Sequence, residues 1–183
     1  MHPLQVVACQ DVIAQQYLME CLIQTFPDEF HLRTLSTLMG AIPSLQPGIR
    51  LHAVIGGLLT RLGEFAAKGS EHLQLFREVD AAVQLERACK DIIEGPMGTS
   101  MPGADLVKLH MAQLRFTASM APTDTARAER ILQSAASRLA SRAESGAGVD
   151  GACMGEVVAL LQAVVDCYGV SQALAMEHFL SLR

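Results

Sequence analysis

Turns that contain proline or glycine divide this sequence into segments of helical length. Nothing between the turns alternates apolar and polar residues as a half-buried β-strand does. Apolar residues instead recur every three or four positions, as Leu51, Ile55, Leu58, Leu62 and Phe65 do. The pattern predicts eight helices, at about residues 11–26, 28–39, 49–67, 71–94, 104–121, 125–144, 152–168 and 171–183.

The spacing of these helices predicts a repeat architecture. Every second helix begins near residue 11, 49, 104 or 152, and these intervals bracket the period of about 40–47 residues that HEAT-type helix pairs have. Aromatic residues make up 4% of the chain and tryptophan is absent, so Leu, Ala, Met and Val must fill the core, which suits packed helices. We therefore expect an all-α fold, a HEAT-like α-solenoid of about four antiparallel helix pairs, as a single segment over residues 1–183.

Two segments are predicted to be flexible loops. Residues 95–103 contain two prolines and three glycines, which favour irregular backbone, and residues 145–151 are rich in glycine. Elsewhere, side chains that accept backbone hydrogen bonds mark helix starts: we expect Asp11, Ser70, Asp124 and Ser171 to be N-caps. Asp28 and Glu29 fall in a first turn, where their charge meets the positive end of the helix dipole.

The first predicted helix is apolar around most of its circumference. Such a helix needs neighbours on several sides, as an interior helix of a solenoid has. On this helix we expect Leu18 to be buried, on a face shared with Ala14, Cys21 and Leu22. Cutting a solenoid exposes surfaces that neighbouring repeats would cover, so the isolated chain is expected to self-associate.

Composition and motifs argue against several functional classes. A net charge of −5 disfavours general nucleic-acid binding, which requires excess cations to neutralise phosphates. Apolar runs such as residues 53–59 are far shorter than the roughly 18 residues of a membrane span. We therefore expect no transmembrane span, and residues 1–3 do not resemble a secretory signal. The sequence has no GxSxG, P-loop, GxGxxG or HExxH motif, so we predict no enzyme activity and no catalytic residues.

Cysteines and histidines do not form metal-binding patterns in the sequence. No two of the five cysteines form a CxxC pair, and the six histidines lie far apart along the chain. We expect buried thiols in a reducing compartment, no metal site and no cofactor.

The sixth predicted helix carries the most distinctive surface of an otherwise acidic chain. Its four arginines lie largely off an apolar face formed by Ala128, Ile131, Leu132, Ala135, Leu139 and Ala143. These candidate interaction residues are Arg127, Arg130, Arg138 and Arg142. The helix is either a solvated outer helix or a docking site for an acidic peptide or an anionic membrane. Aromatic residues do not alternate with the arginines, which argues against nucleic acid.

Two adjoining blocks carry a specific family resemblance: QxYLMECLIQ at residues 15–24 and FPDEFHLRTL at residues 26–35. They resemble the middle region of the vacuolar protein sorting-associated protein 35 family, whose members are much longer chains. The similarity thins after these blocks and beyond about residue 80 extends to helices but not to motifs. It persists weakly at Leu58, Leu59, Arg61, Leu62, Phe65, Leu75 and Phe76.

The resemblance implies a non-catalytic scaffold segment of the retromer coat, which retrieves cargo from endosomes to the Golgi or the plasma membrane. It implies a cytoplasmic protein, peripheral on the endosomal membrane. The family's partners are an arrestin-fold and a phosphoesterase-fold subunit, held through parts of the parent chain not present here; cargo tails or sorting nexins are further possible partners. The family's PRLYL motif is absent, so neither subunit's binding site can be assigned to this chain.

Two alternatives remain at the level of the residues. One is another helical-repeat adaptor that binds peptides on its concave face. The other is a helical sensor domain with a buried ligand pocket. Nothing in the helix pattern alone excludes either one.

Overall fold

The computed structural model describes residues 6–145 and 150–182. Within those ranges the chain is all-α, with one short 3-10 helix at Ile42–Ser44. Twelve α-helices are present in the described residues: α1 Val12–Thr25, α2 Asp28–Arg33, α3 Leu35–Ala41, α4 Leu51–Ala67, α5 Ser70–Glu78, α6 Ala81–Glu94, α7 Pro96–Ser100, α8 Gly103–Met120, α9 Thr125–Glu144, α10 Gly151–Tyr168, α11 Val170–Ala175 and α12 Glu177–Ser181.

The helices form two layers. Helices α1, α4, α8 and α10 pack in that order, each against the next, and make the first layer. The second layer consists of α2–α3, α5–α6, α9 and α11–α12, each of which follows its first-layer partner along the chain. The all-α solenoid of four helix pairs that the sequence predicts is confirmed.

Small residues let α4 and α8 approach closely at the centre of the first layer. A Cβ atom at Gly63 would lie 3.3 Å from Ser119 Oγ, and one at Gly56 would lie 3.6 Å from Ala112 Cβ. Burial of Leu58 and Leu59 on the same helix removes apolar surface from water, which is the main favourable contribution to folding. The helices α4 and α8 therefore form the centre of the stack.

Two helices that the sequence predicts as continuous are broken in the structure. The segment 28–39 divides at Thr34, whose hydroxyl donates to the carbonyl of Phe30 (2.7 Å). The segment 71–94 divides at Asp80, which adopts the left-handed conformation with φ 48°. Asp tolerates that conformation better than most residues do. Neither break contains proline or glycine, so the helix pattern gave no sign of it.

The segment 95–103 is not irregular as predicted, because it contains the short helix α7. Gly98 is required there: a Cβ atom would overlap the carbonyl oxygen of Ile93. Within the segment, Met101 is buried. That residues 95–103 are flexible stays a prediction. In the second predicted loop, residues 146–149 lie outside the described residues, and Asp150 caps α10 by accepting from the Cys153 N–H (2.7 Å).

Two of the four predicted N-caps are confirmed and two are wrong. Asp11 accepts from the Ala14 N–H (2.7 Å) and Asp124 from the Arg127 N–H (3.1 Å), as predicted. Ser70 and Ser171 are not caps: Gly69 and Gly169 precede those helices. Gly169 has φ 80°, which favours glycine over any residue with a side chain.

The buried apolar residues form two clusters that meet at α8. The N-terminal cluster extends from Val6 to Phe116 and the C-terminal cluster from Val107 to Leu182. Helix α8 contributes Leu106 to the first and Val107 to the second. The prediction that Leu18 is buried is wrong, because it is only partly buried at the edge of the N-terminal cluster.

Candidate interaction surfaces

The first two arginines of α9 are neutralised by neighbouring carboxylates. Arg130 Nη2 lies 3.4 Å from Glu86 Oε1, and Arg127 Nε lies 4.0 Å from the other oxygen of Glu86. Arg127 also pairs with Asp124 (3.3 Å). Because Glu86 lies on α6, these ion pairs link two neighbouring second-layer helices. This part of the predicted basic face has little net charge.

The other two arginines pack against the protein with their Nε atoms out of contact with solvent. Arg142 Nη1 donates to the carbonyl of Thr99 (3.5 Å), at the end of α7. A Cβ atom at Gly103 would lie 3.6 Å from Arg142 Nε. Neither Arg138 Nε nor Arg142 Nε has a hydrogen-bond partner among the described residues. The structure thus places the four arginines along one helix but in different surroundings. Ala143, predicted to lie on the apolar face, is exposed.

A groove of about 450 Å³ runs between α6 and α9 beside these arginines. It contains three cationic side chains, Lys90, Arg130 and Arg138, together with Glu86 and Glu94. Lys90 pairs with Glu94 (4.0 Å). Since two of the cations already have carboxylate partners, Arg138 is the cation most available to an anion in this groove.

A larger groove on another part of the molecule has a mixed lining, in which two methionines and two prolines lie beside Arg87 and Asp91. It has a volume of about 710 Å³ and lies between α3 and α6–α7, with Met39, Ile92 and Met97 among its walls. A second groove of about 470 Å³, lined by Pro47 and Met101, shares Pro43, Pro96 and Met97 with the first. Sequence reasoning missed this surface because it treated the prolines only as ends of helices. The repeated pairing of proline with methionine at 96–97 and 101–102 was the available signal.

Half of the residues in the first block of the family resemblance are buried. Gln15 is fully buried. Its Nε2 donates to the carbonyls of Val6 and Cys9 (3.1 Å each), and its Oε1 accepts from the Gln46 N–H (2.7 Å). Gln16 Oε1 accepts from the Arg50 N–H (2.9 Å). These glutamines therefore fix the segments before α1 and before α4 to α1.

The second block has a similar structural role. His31 is fully buried and its Nε2 donates to the carbonyl of Ile23 (3.0 Å), while burial lowers the pKa of its ring. Arg61 on α4 pairs with Asp28 (2.5 Å) and also donates to the carbonyl of Ile23. Phe26 and Phe30 stack across the turn at Pro27, with ring centroids 4.5 Å apart. The two blocks thus specify how α1, α2 and α4 meet.

His110 links α8 to α9 in the interior. Its Nδ1 donates to the carbonyl of Leu106 (2.8 Å), which leaves Nε2 to accept from the Ser134 hydroxyl (3.1 Å). Burial lowers the pKa of His110 to about 4, so the ring is neutral at pH 7. A neutral ring with both nitrogens bonded is a structural group.

One group of potential metal ligands lies at the end of the chain. Ligating atoms of Glu129, Glu177 and His178 are within 4.8 Å of one another. Glu129 Oε1 also accepts from the backbone N–H of His178 (2.8 Å) and lies 2.5 Å from its Nδ1. These bonds attach the start of α12 to α9. Sequence spacing missed the group because Glu129 and His178 are distant in the chain.

Helix α10 is long and apolar enough to cross a membrane by length and composition, with a mean hydropathy of 1.3 over its 18 residues. A core helix passes the same test. Helix α10 packs along α8 and buries Val157, Leu160 and Val164 in the C-terminal cluster. The packing gives a sufficient reason for its composition.

Comparison with known proteins gives a consistent result. The sequence matches the protein family described as vacuolar protein sorting-associated protein 35 over residues 3–183. It is 37% identical to vacuolar protein sorting-associated protein 35C of Arabidopsis thaliana, covering 90% of this chain and 20% of the relative. It is 36% identical to vacuolar protein sorting-associated protein 35A of the same plant, over 96% of this chain and 22% of the relative. It is 32% identical to vacuolar protein sorting-associated protein 35 of Dictyostelium discoideum, over 90% of this chain and 20% of the relative. The chain spans about a fifth of these relatives' length.

Proposed function

Because the chain belongs to the vacuolar protein sorting-associated protein 35 family, we propose that it is a non-catalytic scaffold segment of a retromer-type coat. Such a coat retrieves cargo from endosomes to the Golgi or the plasma membrane. In this role the segment acts through length, shape and stiffness. It is cytoplasmic and peripheral on the endosomal membrane, and it is held in a complex with other coat subunits.

The observation that carries this proposal is the unbroken first layer of helices. Helices α1, α4, α8 and α10 pack in sequence from one end of the described chain to the other, with an apolar core beneath them. In a solenoid of this kind each repeat packs against its neighbours, so the stack fixes the distance and angle between its two ends. The buried residues Gln15, Gln16 and His31 of the family blocks support the same role, because their hydrogen bonds fix helix geometry.

The proposed partners are those of the family, and their binding sites are proposed to lie on other parts of the parent chain. We propose that the arrestin-fold and phosphoesterase-fold subunits bind other parts of a longer parent chain, and that cargo tails or sorting nexins are further candidates. The segment then sets the distance and angle between those sites.

A chimera tests the scaffold proposal. Residues 6–182 replace the matching region of the Dictyostelium protein in cells that lack their own copy, and sorting of vacuolar proteins is measured. We expect rescue. A matched chimera with Leu58→Asp should fail, because an unpaired buried charge costs several kcal/mol, comparable to the stability of a domain. Failure of the first chimera, despite normal expression and folding, would overturn the proposal.

The α9 arginines give a second, smaller proposal, that this face contributes to attraction for anionic membranes. Each basic residue near such a surface contributes roughly 1 kcal/mol, and salt weakens the attraction. Glu86 offers a matched control, since it neutralises Arg127 and Arg130. In flotation with acidic liposomes at low salt, Arg130→Gln with Arg138→Gln should weaken binding and Glu86→Gln should strengthen it. Equal flotation of both variants and the parent would exclude the membrane role.

The groove between α3 and α6–α7 favours one alternative, a peptide-binding adaptor. Apolar grooves of this size accept extended or helical peptides, and methionine adapts to varied side chains. A peptide display screen with Met97→Asp as the control distinguishes this function from a scaffold. Peptides that bind the parent chain and not the variant would support it.

A further inference from the structure

The second layer is closed differently at the three seams of the solenoid, where a seam is the contact between one helix pair and the next. At the first seam α3 packs directly on α6, and at the third seam α9 packs directly on α12. The third seam also has a hydrogen bond, because Glu129 on α9 accepts from the backbone N–H of His178 on α12 (2.8 Å). Among the described residues, α6 and α9 do not pack closely on each other at the middle seam.

A groove takes the place of direct second-layer packing at the middle seam. It is the groove of about 450 Å³ between α6 and α9, lined mainly by polar and charged residues. Glu86 on α6 links the two helices across it, 3.4 Å from Arg130 and 4.0 Å from Arg127. The side chains of Arg130 and Glu86 are 56% and 44% exposed. Exposed ion pairs hold two elements together weakly, and they weaken further as salt rises.

The first layer of the same seam is packed closely. Leu59 and Leu62 of α4 are fully buried. Small residues bring α4 and α8 together, since a Cβ atom at Gly63 would lie 3.3 Å from Ser119 Oγ. Close-packed side chains of this kind resist separation. The middle seam is therefore fixed along its first-layer edge and loosely held along its second-layer edge, which is the arrangement of a hinge.

The apolar core divides at the same place. The N-terminal and C-terminal clusters meet at α8, which contributes Leu109 to the first and Leu114 to the second. The first seam lies within the N-terminal cluster and the third seam within the C-terminal cluster. Helix α8 is therefore the axis about which the two halves can turn.

We infer that the solenoid bends at the middle seam, about α8, and that the ion pairs of Glu86 with Arg127 and Arg130 hold α6 beside α9. Breaking these pairs lets α6 and α9 move apart while α4 and α8 stay in contact. Such bending changes the angle between the two ends of the chain without unfolding a helix. Its consequence, an adjustable curvature of a coat, rests on the proposed scaffold function, whereas the hinge is a property of the chain.

Distances across two seams test this inference. Spin labels on unnatural amino acids, which leave the five cysteines unmodified, replace the exposed residues Val83 on α6 and Ala140 on α9. The reference pair, Thr37 on α3 with Val83, spans the first seam. Double electron–electron resonance gives each distance distribution, in labelled chain diluted with unlabelled chain. Salt is raised from about 0.01 M to about 1 M, over which the Debye length falls from about 30 Å to about 3 Å.

Two variants of α6 separate the ion pairs from the general charge of the groove. Glu86→Gln removes the pairs across the middle seam. Glu94→Gln is the matched control, because Glu94 lines the same groove but pairs with Lys90 of its own helix. Neither Glu86 nor Glu94 is buried, so both variants should keep the parent's circular dichroism spectrum and melting temperature.

We expect the Val83–Ala140 distribution of the parent to broaden toward longer distances as salt rises, while the Thr37–Val83 distribution stays unchanged. Glu86→Gln should give the broad distribution already at low salt, and Glu94→Gln should behave as the parent does. A Val83–Ala140 distribution that neither salt nor Glu86→Gln alters would overturn the inference. Equal broadening at both seams would also overturn it, because the whole chain would then loosen. A rigid middle seam together with rescue by the chimera would remove the hinge and keep the scaffold function.

Discussion

The two halves of this molecule are held together by different kinds of contact. In the N-terminal cluster, buried polar side chains cross between elements: Gln15 and Gln16 bond the segments before α1 and α4, and His31 bonds the end of α1. The C-terminal cluster is built mainly from apolar contacts of residues such as Leu132, Leu160 and Val164. Its polar links are the His110–Ser134 bond and the bonds of Glu129 to His178. Among the described residues, every buried glutamine, histidine and threonine side chain precedes residue 121.

This difference explains where the family resemblance is visible. A buried side chain that donates and accepts several hydrogen bonds can be replaced by almost no other residue, because the loss leaves buried groups unpaired. An apolar position accepts several residues of similar volume at small cost. A specific motif therefore marks residues 15–35, whereas beyond residue 80 the pattern of helices persists without one.

Among these variants, Gln15→Met should cause the largest loss in the free energy of unfolding. The two side chains have similar length, so packing is nearly kept, but two carbonyls and the Gln46 N–H lose their partner. Buried unpaired groups cost about 1–3 kcal/mol each, so we expect a loss of about 3 kcal/mol in the free energy of unfolding. Urea denaturation measures it, with Gln24→Met on the exposed side of α1 as the control. A loss below about 0.5 kcal/mol would remove the basis of the comparison.

Acid should weaken the link between α8 and α9. The folded pKa of His110 is about 4, below the ordinary value of 6.5, so the unfolded chain binds more protons between these pH values. The contribution of His110 to the free energy of unfolding is therefore fully present above pH 6.5. It falls by about 3 kcal/mol as the pH decreases toward 4. His110→Gln should flatten this part of a stability–pH profile. An unchanged slope in that variant would assign the acid sensitivity to other groups.

Leu160→Met should have a small effect, although Leu160 is fully buried in the C-terminal cluster. Swaps that conserve volume usually cost under about 1.5 kcal/mol, because no polar group loses a partner. Thermal unfolding followed by circular dichroism measures the change. A loss as large as that of Gln15→Met would mean that the C-terminal half is as specific as the N-terminal half.

Tyr168→Phe should be neutral or slightly stabilising. The Tyr168 hydroxyl is buried with no hydrogen-bond partner among the described residues, and burial raises its pKa to about 12. Removing an unpaired buried hydroxyl recovers its desolvation cost, up to roughly 1 kcal/mol. A clear loss of stability in urea denaturation would reveal a polar contact in the C-terminal cluster.

The sequence predicted what depends on local pattern and missed what depends on distant contacts. The helix pairs and the caps Asp11 and Asp124 follow from spacing and side-chain chemistry within a few residues. The break at Asp80 was missed because no breaker residue marks it. The neutralisation of Arg127 and Arg130 by Glu86 was missed because the ion pairs join residues about 40 positions apart. A charged face can be counted from sequence, but its partners come from the packing of other helices.

Residue-resolved hydrogen exchange on Gln15→Met shows whether the two halves of the molecule open independently, since repeat proteins can open locally. We expect amide protection to fall in α1, α2 and the start of α4, while α9 and α10 keep the protection they have in the parent. Leu160→Ala should give the opposite pattern, with losses in α8 and α10. Uniform loss along the chain in both variants would contradict the claim that the two halves are held by separate and different contacts.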